Sequence, residues 1–243
     1  MRLVPSQSYG QPSSGATCVV YSDTALTEAN REFGLLPDMR SWLDGDVILF
    51  SPRPVHLARE TRSKSETVRT TQERLGYSPA HSLWTHAAVY IGNGEIVEAN
   101  WSRDSRRNPV RRAEVSRYVP DAYVRRRTAD ELSGLQRAAI VLAALVRCGE
   151  DYAINAALEI YAKALAHKYF RPVPRFLRRR VASGLVCADI VSSSYDQAMR
   201  GPTFSAEDDA IIVPATLSAT SILRDAEIEW CSLPRAASET AQA

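Results

Sequence analysis

The stretch "THAAVYIGNGEIVEAN", residues 85–100, decides the fold. Two β-prone runs, HAAVYI and EIVEA, flank Gly92-Asn93-Gly94, a strong turn signal, so the segment reads as a hairpin. Its apolar content suits a core, yet it places His86 in the first strand and Glu98 in the second. Side chains alternate along a strand, so register decides whether the two meet. A strict two-residue Asn93-Gly94 turn pairs 92 with 95, sets Glu98 opposite Val89 and turns it away from His86. For both to share one face, the hairpin needs a three-residue loop, 91–93, or a bulge in the second strand.

Upstream, "DGDVILF" (44–50) reads as a turn and a short apolar strand that Pro52 and Pro54 end. Residues 55–80 are polar and basic, with a pattern that fits a helix or a mobile cover. Downstream, residues 102–120 are polar and arginine-rich, and "AYVRRR" (122–127) fits another strand. A helix is expected after Thr128 or Asp130, with Leu132, Leu135, Ala139, Leu142 and Val146 on its apolar stripe and Gly149 as its stop. Residues 152–170 repeat a helical pattern up to "RPVPR". "SGLVCADIVSSSYDQAMR" (183–200) reads as a further helix with Cys187 in its first turn, and "AIIVPATLSAT" (210–220) as a strand meeting a proline. The last dozen residues look like a frayed tail.

These elements give an α+β chain with no internal repeat. We divide it into an N-terminal extension (1–40), a domain (41–222) and a C-terminal segment with its tail (223–243). The 45% apolar and 24% charged content of 243 residues fits a globular protein, and a net charge of +2 is too small to argue for nucleic acid. The apolar run "AAIVLAALV" (138–146) falls short of the ~18 residues that span a bilayer, and the first residues lack the apolar core of a signal peptide. A cytoplasmic location is the expectation. Cys18, Cys148, Cys187 and Cys231 lie far apart, without a CxxC pair, which disfavours a zinc ribbon or a disulfide scaffold.

A thiol at a helix start meets unpaired N–H groups and the positive end of the helix dipole, which favour thiolate. A histidine can exchange the thiol proton, and a carboxylate behind it fixes the ring. Cys187, His86 and Glu98 offer these roles. Taken from spacing alone, the plainer readings carry more weight: a buried thiol, a structural histidine and a solvated carboxylate.

The motifs "DGDVILF", "WTHAAVYIGNGEIVEAN" and "GLVCADIVSSSY", in that order, resemble the circularly permuted branch of the NlpC/P60 papain-like superfamily, which includes YiiX/YebB-like proteins and lecithin:retinol acyltransferase relatives. The resemblance covers roughly residues 42–220. It implies a papain-like α+β fold with a small antiparallel sheet or half-barrel on helices. It also implies a cysteine hydrolase acting on an amide or ester bond, with Cys187 as nucleophile, His86 as base and acid, and Glu98 orienting His86. An acyltransferase of the same fold and an inactive binding module are the alternatives. The implied substrate is a small, peptide-like or lipid-like acyl compound, with no cofactor and no metal.

Trp84, Tyr90, Trp101 and His81 are the candidate substrate-binding residues, the two tryptophans as walls of an apolar pocket. A zinc site from His81, His86 and Cys187 is a weaker reading, since no short ligand pair occurs. His56 and His167 are read as surface residues, and Cys18, Cys148 and Cys231 as structural thiols. Arginines at 103–107, 110–112, 125–127 and 175–180 suit either a solvated surface or an anionic head group or membrane surface. No aromatic-interleaved RNA motif accompanies them, so no nucleic-acid partner is expected. Oligomeric state is open.

Overall fold

The computed structural model describes residues 35–53, 59–100, 110–119, 122–151, 186–204 and 212–232. The expected helix over 152–170, the frayed tail, Trp101, Cys18, His56, His167 and the arginines at 103–107 and 175–180 lie outside them. No helix among the described residues is long and apolar enough to cross a membrane.

The fold is mixed α and β, built on a six-stranded antiparallel sheet packed against helices. Along the chain come β1 (Leu35–Asp38), β2 (Val47–Pro52), α1 (Arg59–Arg74), the short α2 (Pro79–Ser82), β3 (His86–Gly92), β4 (Glu95–Ala99) and β5 (Val110–Glu114). After a 3-10 turn at Val115–Arg117 follow β6 (Ala122–Thr128), α3 (Gly134–Leu145), α4 (Cys187–Met199), α5 (Pro214–Ala219), β7 (Arg224–Ala226) and β8 (Glu229–Ser232). The sheet order is β5-β4-β3-β2-β6-β7, while β1 and β8 form a separate antiparallel pair. Strand β2 is buried on both sides, as its unbroken apolar run requires.

Each face of the sheet has its own core. Leu49, Ala87, Val89, Val97 and Ala99 face α3 and α4, meeting Ile140, Ala188, Ile190, Val191 and Tyr195. Ile48, Phe50, Ala88, Tyr90 and Ile96 face the other way, toward Met39, Trp42, Val119, Ile228 and Trp230. The β1–β8 pair closes this second core. Met39, Ile228 and Trp230 thus pack with the sheet's second face.

The β3–β4 hairpin resolves the register question. Gly92 pairs with Glu95 across an Asn93-Gly94 turn in which φ is 52° and 77°. The register then shifts, so that Tyr90 faces Ile96 and Val89 faces Val97. The extra residue is Ile91. The bulge thus lies in the first strand, not the second as expected, and has the same effect on side-chain parity. Gly92 serves it with φ +92°, and a Cβ there would meet Asp44 Oδ1 at 2.9 Å.

Three further expectations change. Helix α3 is capped by Ser133, not Thr128 or Asp130: its hydroxyl accepts from Gln136 N (3.2 Å) while Gln136 Oε1 accepts from Ser133 N (2.9 Å). Its buried face is Arg137, Ile140, Ala143 and Ala144, and the expected stripe residues Leu135, Leu142 and Val146 are exposed. Arg137 turns inward because it meets a buried carboxylate: Asp46, 0% exposed, accepts from Arg137 Nη1 (3.2 Å) and Arg126 Nε (2.6 Å). Residues 214–219 form a helix rather than a strand. Proline at the first helical position costs no hydrogen bond, so Pro214 starts α5 instead of ending a strand.

Residues 59–74 resolve as a helix, closed by Gly76 at φ +93° with Tyr77 N donating to Gln72 O (3.1 Å). Gln72 is fully buried and works as a clamp. Its Nε2 donates to Ser82 O (2.9 Å) and Trp84 O (3.0 Å), and its Oε1 accepts from Ala215 N (2.8 Å). It thereby fixes the approach to β3 against α1 and α5.

Candidate active site

His86 opens β3 and Cys187 opens α4. His86 stands opposite Phe50 in the β2–β3 register and shares its sheet face with Ala88 and Tyr90. The Ile91 bulge puts Glu98 on that face too, beside Ile96. His86 Nε2 and Glu98 Oε2 are 2.7 Å apart. Cys187 is the second side chain that acts on the His86 ring, and it favours the charged imidazole. Groups from β4 and α4 therefore act on the imidazole that β3 carries. Its ring lies 5.8 Å from that of Phe50 and is stacked 5.9 Å from that of Tyr118.

Glu98 is 0% exposed and fully partnered. Tyr118 donates its hydroxyl to Oε2, the oxygen that also holds His86, and Arg111 Nε donates to Oε1 (3.1 Å). Asn100 Nδ2 donates to the Tyr118 oxygen (2.9 Å). Burial alone would raise the Glu98 pKa, but the bonds and charges of His86, Tyr118 and Arg111 outweigh it and bring it down to about 2. Burial likewise disfavours a charged His86, and the bonds to Cys187 and Glu98 overcome this, raising it to about 10. Both shifts favour the carboxylate–imidazolium form. Burial and the adjacent carboxylate push the Tyr118 hydroxyl up, so it acts as a proton-bearing donor.

The helix start contributes the rest. Val186 precedes the first turn, and its N–H donates to Asp189 Oδ2 (3.2 Å). Cys187 is the first helical residue and is partly accessible. The first N–H groups of a helix lack intrahelical acceptors, so the Cys187 N–H is available to a developing oxyanion.

The remaining candidates separate from this center. Trp84 is 1% exposed and belongs to the helix-side core, with Arg125 over its ring at 5.8 Å. Tyr90 is 2% exposed at the turn end of β3, edge-on to Trp42 at 5.2 Å, and its hydroxyl accepts from Gly94 N (3.1 Å). Burial makes Trp84 and Tyr90 packing residues of the two cores. His81 Nδ1 meets Ser218 Oγ on α5 at 2.9 Å, and burial and the nearby Arg125 and Arg127 lower its pKa. Cys148, read as a structural thiol, is exposed in the turn after α3.

The described arginines are paired within the fold. Arg125 pairs with Asp225 (2.6 Å), Arg126 with Asp46, and Arg127 donates to the carbonyls of Leu217 (2.8 Å) and Ser218 (2.5 Å). Arg111 holds Glu98, and Arg112 holds Glu95. Arg111 and Arg112 keep exposed side chains, whereas Arg126 and Arg127 are buried. The reading of the sequence missed Arg111, Tyr118 and Asn100. The only signal was indirect: were 110–114 recognised as a strand beside β4, alternation would put Arg111 on the Glu98 face.

Compared with protein-family models, with curated proteins and with solved structures, the chain gives no match in any of the three.

Proposed function

We propose that this protein is a cysteine hydrolase that cleaves an amide or ester bond through Cys187, His86 and Glu98. The observation that carries the reading is the setting of His86: Nε2 stands 2.7 Å from a buried carboxylate, and a partly accessible thiol, Cys187, is the second group acting on the ring. A structural histidine needs neither a nucleophile nor an ionised partner. The order His86 before Cys187, and the six-stranded antiparallel sheet against helices, agree with the permuted papain-like arrangement that the motifs resemble.

The chemistry follows from the geometry. Cys187 sulfur attacks the substrate carbonyl carbon, and a C–S bond forms. The Cys187 N–H at the helix start receives the oxyanion. His86 passes its Nδ1 proton to the leaving amine or alcohol as the C–N or C–O bond breaks. Neutral His86 then takes a proton from water, which attacks the thioester carbon. The acid departs and the thiolate–imidazolium pair returns. Glu98 keeps the ring oriented throughout. The substrate class that suits this step is a small peptide-like or lipid-like acyl compound.

Iodoacetamide at near-neutral pH tests the reading. Cys187 is expected to alkylate about tenfold or more faster than Cys148, whose thiol burial pushes up. His86→Ala is expected to abolish the difference. Equal, slow alkylation of both thiols, unchanged in His86→Ala, sinks the proposal. Product analysis with and without an amine or alcohol acceptor then separates hydrolysis from acyl transfer.

A further inference from the structure

We infer that Arg111 is a positioning residue whose fixed positive charge, delivered to Glu98 from the edge strand, sets the pH window of the Cys187–His86 pair; the inference rests on the catalytic reading above. Arg111 stands opposite Glu98 in the β4–β5 register, with Nε 3.1 Å from Oε1. Its side chain is 44% exposed, whereas Glu98 is sealed. The guanidinium thus reaches a buried carboxylate from outside the core.

Charge balance gives it the role. Cys187 and His86 form and discharge their opposite charges together. Glu98 does not take part in that exchange and stays negative through acylation and deacylation. Its counter-charge must come from a group that never gives up a proton, and arginine is that group. Without Arg111 the buried site carries an uncompensated negative charge at every stage.

The other groups facing the site, among the described residues, cannot replace it. Tyr118 is neutral, Asn100 is a dipole, and Phe50 is apolar. His86 itself must change charge. Arg112, next in sequence, alternates to the opposite face and holds Glu95.

Removing a positive charge raises the pKa of every nearby acid, so the sign of the test is fixed. The alkylation rate of Cys187 by iodoacetamide is followed against pH in the full chain, by mass spectrometry of the Cys187 peptide, with Cys148 as internal reference. Arg111→Gln is expected to move the whole profile to higher pH by about 0.5–1 unit, the partial exposure of the guanidinium limiting the shift. Arg111→Lys, which keeps the charge, is expected to restore the wild-type position. At 1 M salt, which screens an exposed charge, the wild-type profile should shift the same way and the Arg111→Gln profile should not. This comparison also serves if Arg111→Gln folds less stably. A purely structural role would slow alkylation without moving the pH axis, and superimposable profiles overturn the inference. A wild-type Cys187 indifferent to His86→Ala overturns the catalytic reading instead, and this inference with it.

Discussion

At the scale of single residues, the site is a charge pair of a buried carboxylate and a partly accessible imidazole, whose pKa values shift in opposite directions. His86 is raised from 6.5 to about 10, so its contribution to stability is complete below 6.5 and is lost as pH rises through about 10. Glu98 is lowered from 4.5 to about 2, so its contribution is complete above 4.5 and is lost as pH falls through about 2. The pair is at full strength between 4.5 and 6.5. Glu98→Gln, which keeps the shape and removes the charge, should therefore cost most in that interval, about 1–3 kcal/mol. The gap from wild type should close toward pH 10. Urea midpoints at pH 5.5 and 10 check this, and a pH-independent gap refutes it. The same variant should move the alkaline limb of Cys187 alkylation to lower pH, because the imidazolium loses its carboxylate.

At the scale of elements, the site depends on how β3 is led into the sheet. Gln72 ties the residues before His86 to α1 and α5 through three bonds to buried backbone groups. Gln72→Leu fills the same volume but leaves those groups unmet. It is expected to cost about 2–4 kcal/mol and to slow Cys187 alkylation, since His86 is then loosely held. Thermal denaturation beside the alkylation assay measures both; a destabilised variant with wild-type reactivity would show that the clamp does not position the ring. Local devices of this kind differ in how visible they are in sequence. The hairpin was legible because turn chemistry and strand alternation are neighbour effects, and even the need for a register correction followed from counting residues between His86 and Glu98. Its location at Ile91 was not, because a bulge in either strand restores parity equally. Helix α5 was misread because an apolar run beside a proline suits a strand end and a helix start alike. Arg111 and Tyr118 stayed hidden because β5 lies in an arginine-rich stretch that reads as loop until its partner strand is known.

At the scale of the whole molecule, a buried ionic center ties the sheet to its covering helix. Asp46 precedes β2, Arg126 comes from β6 and Arg137 from α3, so a single carboxylate links the middle of the sheet to its covering helix. This explains why the apolar stripe of α3 misled: Leu135, Leu142 and Val146 follow helical spacing, but the inward face was taken by an arginine with a distant partner. Asp46→Ala removes the shared anion and leaves two guanidiniums on neutral acceptors alone, the carbonyls of Ser41 and Glu227 for Arg126 and those of Asp44 and Ala129 for Arg137. The expected cost is about 3–5 kcal/mol, read as a lowered urea midpoint. A change below about 1 kcal/mol would mean that these neutral acceptors suffice for the two arginines.

The pairing of β1 with β8 sets Leu35 opposite Ser232, so the chain enters and leaves the described fold side by side. Tension applied through the two flanking segments would act on one end of this short ladder and peel its bonds in succession, as a zipper opens, rather than shear them all at once. Mechanical load would thus be spent on the clasp before it reached the sheet that holds the imidazole.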